Sequence, residues 1–220
     1  MEIPVTGSLL SVLVRTSQED RTIPTGSASH PGSDVLSAVG NISNLCLRCK
    51  ETVIWPVPTV HQLSSAAPTE EWRKTFEINV LGLSICTREA VQGMLQRGVN
   101  DGFIINISST GGLRSPSTSS LCMYSASKHA VQVLTEGLRK DLADKKSGIR
   151  VTSICPGLVK TEIMDNLKIL DKKRIYSKLS YLQPEHIADA VVYVLSQPAI
   201  LEVPMLVIQH VGQGRIIESQ

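Results

Sequence analysis

Hydrophobic positions follow two clear rhythms over the last two thirds of this chain and neither rhythm over the first third. Pro68-Thr69-Glu70-Glu71 predicts a helix start, with threonine as the cap and two acids to meet the positive end of the helix dipole. Trp72, Phe76, Val80 and Leu83 follow at helical spacing, and the helix is expected to run to Arg97-Gly98. The β-branched run Phe103 to Ile107, after Asp101-Gly102, predicts a strand buried on both faces, followed by a loop from Ser108 to Ser120. Ala126, Ala130, Leu134, Leu138 and Leu142 recur every four residues and predict a long helix closed by Lys145, Lys146 and Gly148. Ile149 to Cys155 reads as a strand stopping at Pro156-Gly157. Pro184-Glu185 opens another helix, and Met205 to Ile208 is the last strand. Strands alternating with helices at this spacing predict an α/β fold, a doubly wound parallel sheet with helices on both faces.

Residues 1 to 68 are rich in Ser, Thr, Pro and Gly, and Ile23 to Asp34 reads as irregular loop. Within them Leu9 to Val14 predicts a buried strand. Thr52 to Val60, cut by Pro56 and Pro58, suits only a sheet edge. The expected organisation is therefore an irregular or truncated part, residues 1–68, and a regular part, residues 69–220, of one domain.

With 42% hydrophobic and 19% charged residues among 220, the chain can bury a core. The net charge of +2 supplies no field to steer a polyanion, so a nucleic-acid partner is not expected. The longest apolar runs, Leu9 to Val14 among them, fall far short of the ~20 residues of a membrane span. The opening Met1-Glu2 lacks the basic start of a secretory signal, so the expected location is cytoplasmic. Five scattered cysteines read as reduced thiols, Cys46-Leu47-Arg48-Cys49 is a lone pair without further ligands, and the five histidines lack metal-ligand spacing.

Tyr124 and Lys128, four apart at the start of a helix, share one face and can reach one ligand. A phenol with pKa near ~10 is a poor proton carrier at neutral pH, and an adjacent ammonium is expected to lower that value. The strand ending in Ile107-Ser108-Ser109 and the strand ending in Pro156-Gly157-Leu158-Val159-Lys160-Thr161 both arrive at the carboxyl edge of a parallel sheet, where ligands bind. Ser125-Ala126-Ser127-Lys128 also has the S-x-x-K spacing of a serine nucleophile, but neither S-D-N nor K-T-G accompanies it.

Taken in order, strand-Ser-Ser, Tyr-x-x-x-Lys and strand-Pro-Gly-x-Val-x-Thr make residues 69–210 resemble the short-chain dehydrogenase/reductase family. The resemblance implies a Rossmann-like fold and an oxidoreductase that moves a hydride between NADP(H), with NAD(H) as the alternative, and an alcohol or ketone of steroid, retinoid or isoprenoid type. It implies that Tyr124 exchanges the proton, Lys128 lowers its pKa and binds the nicotinamide ribose, Ser109 holds the substrate oxygen, and Asn79 organises a proton relay. Pro156, Gly157, Val159 and Thr161 match the turn that holds the nicotinamide amide and a nearby phosphate. A homodimer or homotetramer is the implied assembly, and no metal is implied. The bland alternative for Asn79 is an amide that satisfies a bent helix backbone.

The resemblance breaks at the amino-terminal side. The family's T-G-x-x-x-G-x-G turn, whose backbone amides hold the pyrophosphate, has no counterpart: Val5-Thr6-Gly7-Ser8 begins like it, yet no G-x-G occurs before residue 60. The N-N-A-G segment expected before the Trp72 helix is replaced by Leu63-Ser64-Ser65-Ala66-Ala67-Pro68. The competing expectation is a non-catalytic relative with a dimerising or regulatory role, or a splice or gene-model product that does not bind cofactor.

Overall fold

The computed structural model describes residues 51–54, 68–114, 121–160, 180–211 and 213. Within them Glu51–Ile54 (β1), Phe103–Ile107 (β2), Arg150–Pro156 (β3) and Met205–Ile208 (β4) form one sheet in the order β1-β2-β3-β4, every pair parallel. Each crossover between neighbouring strands carries helix, as parallel pairing requires. Thr69–Phe76 (α1) and Leu83–Gln96 (α2) lead to β2, Cys122–Asp144 (α3) leads to β3, and Pro184–Leu195 (α4) leads to β4. The predicted doubly wound parallel sheet is thus the observed architecture.

Alternation along the strands splits the core between two faces. Phe103, Ile105 and Ile107 of β2 pack with Ile154 of β3 against Ile187, Val191 and Val194 of α4. Ile104 and Val151 face the other way, onto Val91 and Met94 of α2 and Leu142 of α3. Both β2 and β3 are buried along their whole length, which is why neither alternates cleanly between apolar and polar residues. In β4, Leu206 and Ile208 pack on the core while Met205 and Val207 are exposed, so this strand is covered on one face only. The proline-bounded segment predicted as an edge supplies β1, which pairs with β2 alone among the described strands. Leu9 to Val14 and the Cys46–Cys49 pair lie outside the described residues.

Three expectations are corrected. Thr69 is the first helical residue and makes no side-chain cap; Pro68 stands in the capping position. The run from Thr69 to Gln96 is continuous but not uniform, because Glu77–Gly82 is a π-helical turn between α1 and α2. Its wider turn shifts the buried stripe to Thr75, Asn79, Leu83 and Thr87, leaving the predicted Trp72, Phe76 and Val80 half-buried. On α3 the buried stripe is Ser125, Ser127, Lys128, Val131, Thr135 and Leu142. Of the predicted repeat, Leu142 is buried and Leu138 packs against the core, whereas Ala126 and Leu134 are exposed: toward its start the inner face is polar because the helix begins at the site described next.

Local signals account for the helix ends. Gly98 takes a φ of 70° after α2, and Lys146 takes the left-handed conformation after α3, where a glycine was expected at Gly148. At α4, Gln183 and His186 form a reciprocal capping box and Pro184 occupies the first helical position.

Candidate active site

The carboxyl ends of β2 and β3 and the first turns of α3 converge on one edge of the sheet. Ser109 follows β2 by two residues and is extended (φ −165°, ψ 155°). Its hydroxyl accepts the Gly111 amide at 3.0 Å, which turns the chain into the short 3₁₀ segment Thr110–Gly112. That turn lies directly on α3. A Cβ at Gly112 would meet the Lys128 carbonyl carbon and oxygen at 2.7 Å, so only glycine allows this approach. His129 Nδ1 hydrogen-bonds the Gly112 carbonyl oxygen at 2.9 Å, and the Ser108 hydroxyl donates to the Lys128 carbonyl at 3.0 Å. Two polar ties thereby hold the serine turn to the tyrosine and lysine helix.

Tyr124, Lys128 and Ser109 are brought together as predicted. The Ser109 hydroxyl lies near enough to the Tyr124 hydroxyl to act on its pKa. The Lys128 ammonium nitrogen lies 5.7 Å from the centroid of the Tyr124 ring and donates to the Ile107 carbonyl at 3.1 Å. Lys128 is 2% exposed and has no carboxylate partner among the described residues, an unusual position for a lysine.

The electrostatics differ from the expectation. Removal from water pushes the Lys128 pKa down to about 7, with an opposing contribution from Cys155 beside it. The Tyr124 pKa is raised, chiefly by burial of the hydroxyl and partly offset by the Ser109 hydroxyl, although the residue as a whole is only half-buried. The expected lowering of the tyrosine by its lysine is therefore reversed: desolvation acts on both groups and weakens the ammonium meant to do the lowering. Burial also raises the Cys155 thiol, which accepts from Gln132 Nε2 at 2.9 Å.

Asn79 sits in the π-helical turn with its side chain fully buried. Nδ2 donates to the Ser127 hydroxyl at 3.1 Å, and that hydroxyl donates to the Tyr124 carbonyl at 2.7 Å. The Asn79 carbonyl oxygen Oδ1 is buried without a hydrogen-bond partner among the described residues. Both halves of the expectation for Asn79 bear on this geometry: the helix is distorted there, and one polar atom of the amide is left over.

At the neighbouring rim, Pro156 ends β3 and the Gly157 amide donates to the Ile208 carbonyl at 2.7 Å. Val159 is bridged to Leu182, and its side chain belongs to the core beneath α4 rather than to the rim. Thr161 lies outside the described residues. Among the described residues no cluster of His, Cys, Asp and Glu could hold a metal, and no helix is long and apolar enough to cross a membrane. The serine-nucleophile spacing finds no support: Lys128 bonds a backbone carbonyl, and Ser125 is buried beside the Ser109 turn. Sequence reasoning missed Ser108, Ser127 and His129. All three act on backbone or on another side chain across the fold, and spacing along one helix carries no signal of that.

The profile of the short chain dehydrogenase family matches residues 57–170. Dehydrogenase/reductase SDR family member 11 of Bos taurus is 46% identical over 138 residues, covering 61% of this chain and 54% of the relative. Farnesol dehydrogenase of Aedes aegypti is 40% identical over 141 residues, covering 64% of this chain and 55% of the relative. The chain thus spans about half the length of these curated relatives. Among solved structures, the closed form of a serine dehydrogenase complexed with NADP+ superposes with a TM-score of 0.63 at 27% identity, over 80% of this chain and 70% of that one. An actinorhodin polyketide ketoreductase with NADPH superposes with a TM-score of 0.61 at 27% identity, over 81% and 70%. With the profile spanning more than half of its residues and the parallel sheet matching these structures, the chain belongs to the short-chain dehydrogenase/reductase family.

Proposed function

We propose that this chain is an oxidoreductase acting on a small-molecule alcohol or carbonyl compound, with NADP(H) as its cofactor and NAD(H) as the alternative. The observation that carries the reading is the convergence of the Ser109 and Tyr124 hydroxyls and the buried Lys128 at the carboxyl edge of the parallel sheet. Two of the structural neighbours hold NADP+ or NADPH, which supports the choice of cofactor. The residues fit the nicotinamide end of such a molecule: among the described residues the Lys128 ammonium donates to one acceptor, the Ile107 carbonyl, and Asn79 Oδ1 is a buried acceptor without a partner. Tyr124 and Lys128 would hold the nicotinamide ribose, and Pro156 and Gly157, with the Val159 backbone and Thr161, would hold the amide side.

When bound, the nicotinamide supplies the hydride donor or acceptor. Tyr124 gives its phenolic proton to the substrate oxygen in reduction and takes it back in oxidation. Ser109 donates a second hydrogen bond to that oxygen, so two hydroxyls stabilise the charge that develops there. Lys128 stabilises the phenolate left after proton transfer, a role that grows when a bound anionic group restores its charge. Tyr124→Phe keeps the ring and removes the proton. It is expected to lower the rate of NADPH oxidation with a carbonyl panel (a 3-ketosteroid, retinal and farnesal) by roughly 10²- to 10⁴-fold at unchanged thermal stability. Equal turnover by wild type and variant would overturn the reading.

A second reading has its own observation, the lack of a G-x-G turn before residue 60. Charge-assisted bonds to phosphate contribute about 1.5–3 kcal/mol each, so losing two weakens binding by orders of magnitude. In that reading the chain is a non-catalytic dimerising or regulatory relative. A titration of NADPH against tryptophan fluorescence separates the two: saturation at micromolar concentration supports the enzyme, and a folded chain with no saturable change supports the non-catalytic relative.

The assembly we propose is a homodimer, or a homotetramer built from such dimers, through the outer face of α2 and α3. Residues 69–220 would then be the catalytic half of one Rossmann-type domain.

A further inference from the structure

The Ser127 hydroxyl has one proton, and that proton is already committed. Oγ donates it to the Tyr124 carbonyl, three residues earlier on α3, at 2.7 Å. Toward Asn79, Oγ can therefore only accept, and the 3.1 Å contact between them must be filled by an amide N–H. The two ends of a carboxamide are nearly identical in shape, so the proton count, not packing, decides which end faces Ser127. The reverse orientation would set two acceptors against each other. One consequence is that Oδ1 points to the other side, where it is fully buried and has no hydrogen-bond partner among the described residues. An unpaired buried carbonyl is costly and persists only where the alternative is worse. A second consequence concerns the backbone: the Asn79–Ser127–Tyr124 chain of bonds joins the π-helical turn Glu77–Gly82 to the turn of α3 that carries Tyr124 and Lys128.

We propose that Ser127 is a positioning residue of this site. It selects the Asn79 orientation that presents Oδ1 as an acceptor to a hydrogen-bond donor bound in the site, and it locks the π-helical turn against the tyrosine and lysine helix. The effect on turnover rests on the oxidoreductase reading above, whereas the amide orientation does not. A second buried amide serves as an internal reference: Asn106 Nδ2 donates to Thr135 Oγ1 at 2.9 Å and has no part in the Ser127 chain of bonds.

The test is proton exchange of the side-chain amides in the full chain labelled with ¹⁵N-asparagine, the Asn79 signal being assigned by its loss in Asn79→Asp. In the wild type both Asn79 and Asn106 are expected to be protected. Ser127→Ala is expected to speed Asn79 exchange by roughly tenfold or more while Asn106 keeps its protection, and Ser127→Thr, which retains the hydroxyl, is expected to restore Asn79. Should Ser127→Ala lose its fold, as read by loss of Asn106 protection, Ser127→Cys fills the same space with a poor acceptor, and the same loss at Asn79 is expected. Unchanged Asn79 protection in a folded Ala or Cys variant, or a folded Thr variant without protection, overturns the assignment. With NADPH and cyclohexanone as the carbonyl probe, kcat is expected to fall in Ser127→Ala and recover in Ser127→Thr. A kcat that does not follow the amide overturns the functional part of the assignment. Absence of turnover in the wild type itself counts against the oxidoreductase reading and leaves the exchange experiment to decide the role of Ser127.

Discussion

Lys128 is a cation folded into a place water does not reach, and its pKa near 7 carries a consequence for stability. Between about pH 7 and the ordinary lysine value of ~10.4, the unfolded chain holds a proton on this residue that the folded chain has released. The unfolded state therefore binds more protons in that window, and stability rises with pH across it, by a few kcal/mol at most. Below pH 7 both states are protonated and the contribution is flat. Tyr124, whose folded pKa is raised, acts oppositely above about pH 10, where the folded chain keeps a proton the unfolded one loses. Lys128→Met replaces the ammonium with an apolar chain of similar length. It is expected to unfold at a higher temperature than wild type near pH 6, with the gap narrowing near pH 9. Thermal scans at the two pH values check this, and a gap independent of pH would contradict the buried, titrating amine. The spacing of Tyr124 and Lys128 was legible because four residues along a helix define one face. The direction of the tyrosine shift was not, since it depends on how deeply the rest of the chain buries each group.

At the scale of elements, the site is a contact between a turn and a helix. Thr110–Gly112 lies against α3 so closely that one methyl group at Gly112 would collide with the Lys128 backbone at 2.7 Å. Because the obstruction is backbone, it cannot swing aside. Gly112→Ala is expected to cost about 1–3 kcal/mol, read as a lower urea midpoint at unchanged slope. A stability equal to wild type would show that the turn does not pack as described. Pattern reading succeeded where burial and periodicity coincide: β2, β3, β4 and the start of α4 fall where the apolar runs and the proline placed them. It failed on the helices of the site. Their buried faces carry Thr75, Asn79, Ser127, Lys128 and Thr135, polar residues that a hydrophobic stripe cannot reveal.

The whole molecule leaves apolar surface on the face opposite that polar interior. Val133 and Leu81 are 61% and 56% exposed, Leu95 and Leu134 are partly exposed, and α2 and α3 enclose a groove of about 290 Å³ in which Leu95, Leu134 and Leu138 stand among polar residues such as Arg88, Asp141 and Lys145. The four-residue repeat of α3 supplies much of this surface, which follows if helix α3 is apolar toward a second copy and polar toward the site. For Val133→Asp combined with Leu134→Asp, light scattering is expected to give the mass of one chain where the wild type gives two or four. Monomeric wild type would end the assembly proposal. The net charge of +2 offers no opposing repulsion to such pairing.

The sequence by itself determined the alternation of strand and helix, the parallel sheet it forces, and the helical spacing that puts Tyr124 and Lys128 on one face, because these depend on local periodicity and chain connectivity. Only the tertiary structure decided which helix faces are buried, how far Lys128 and the Tyr124 hydroxyl are removed from water, and how Asn79 is oriented. Those outcomes depend on atoms brought together from residues distant along the chain: Asn79 with Ser127, Ser108 with Lys128, Gly112 with His129. A proton count or a desolvation cost exists only once such neighbours are in place.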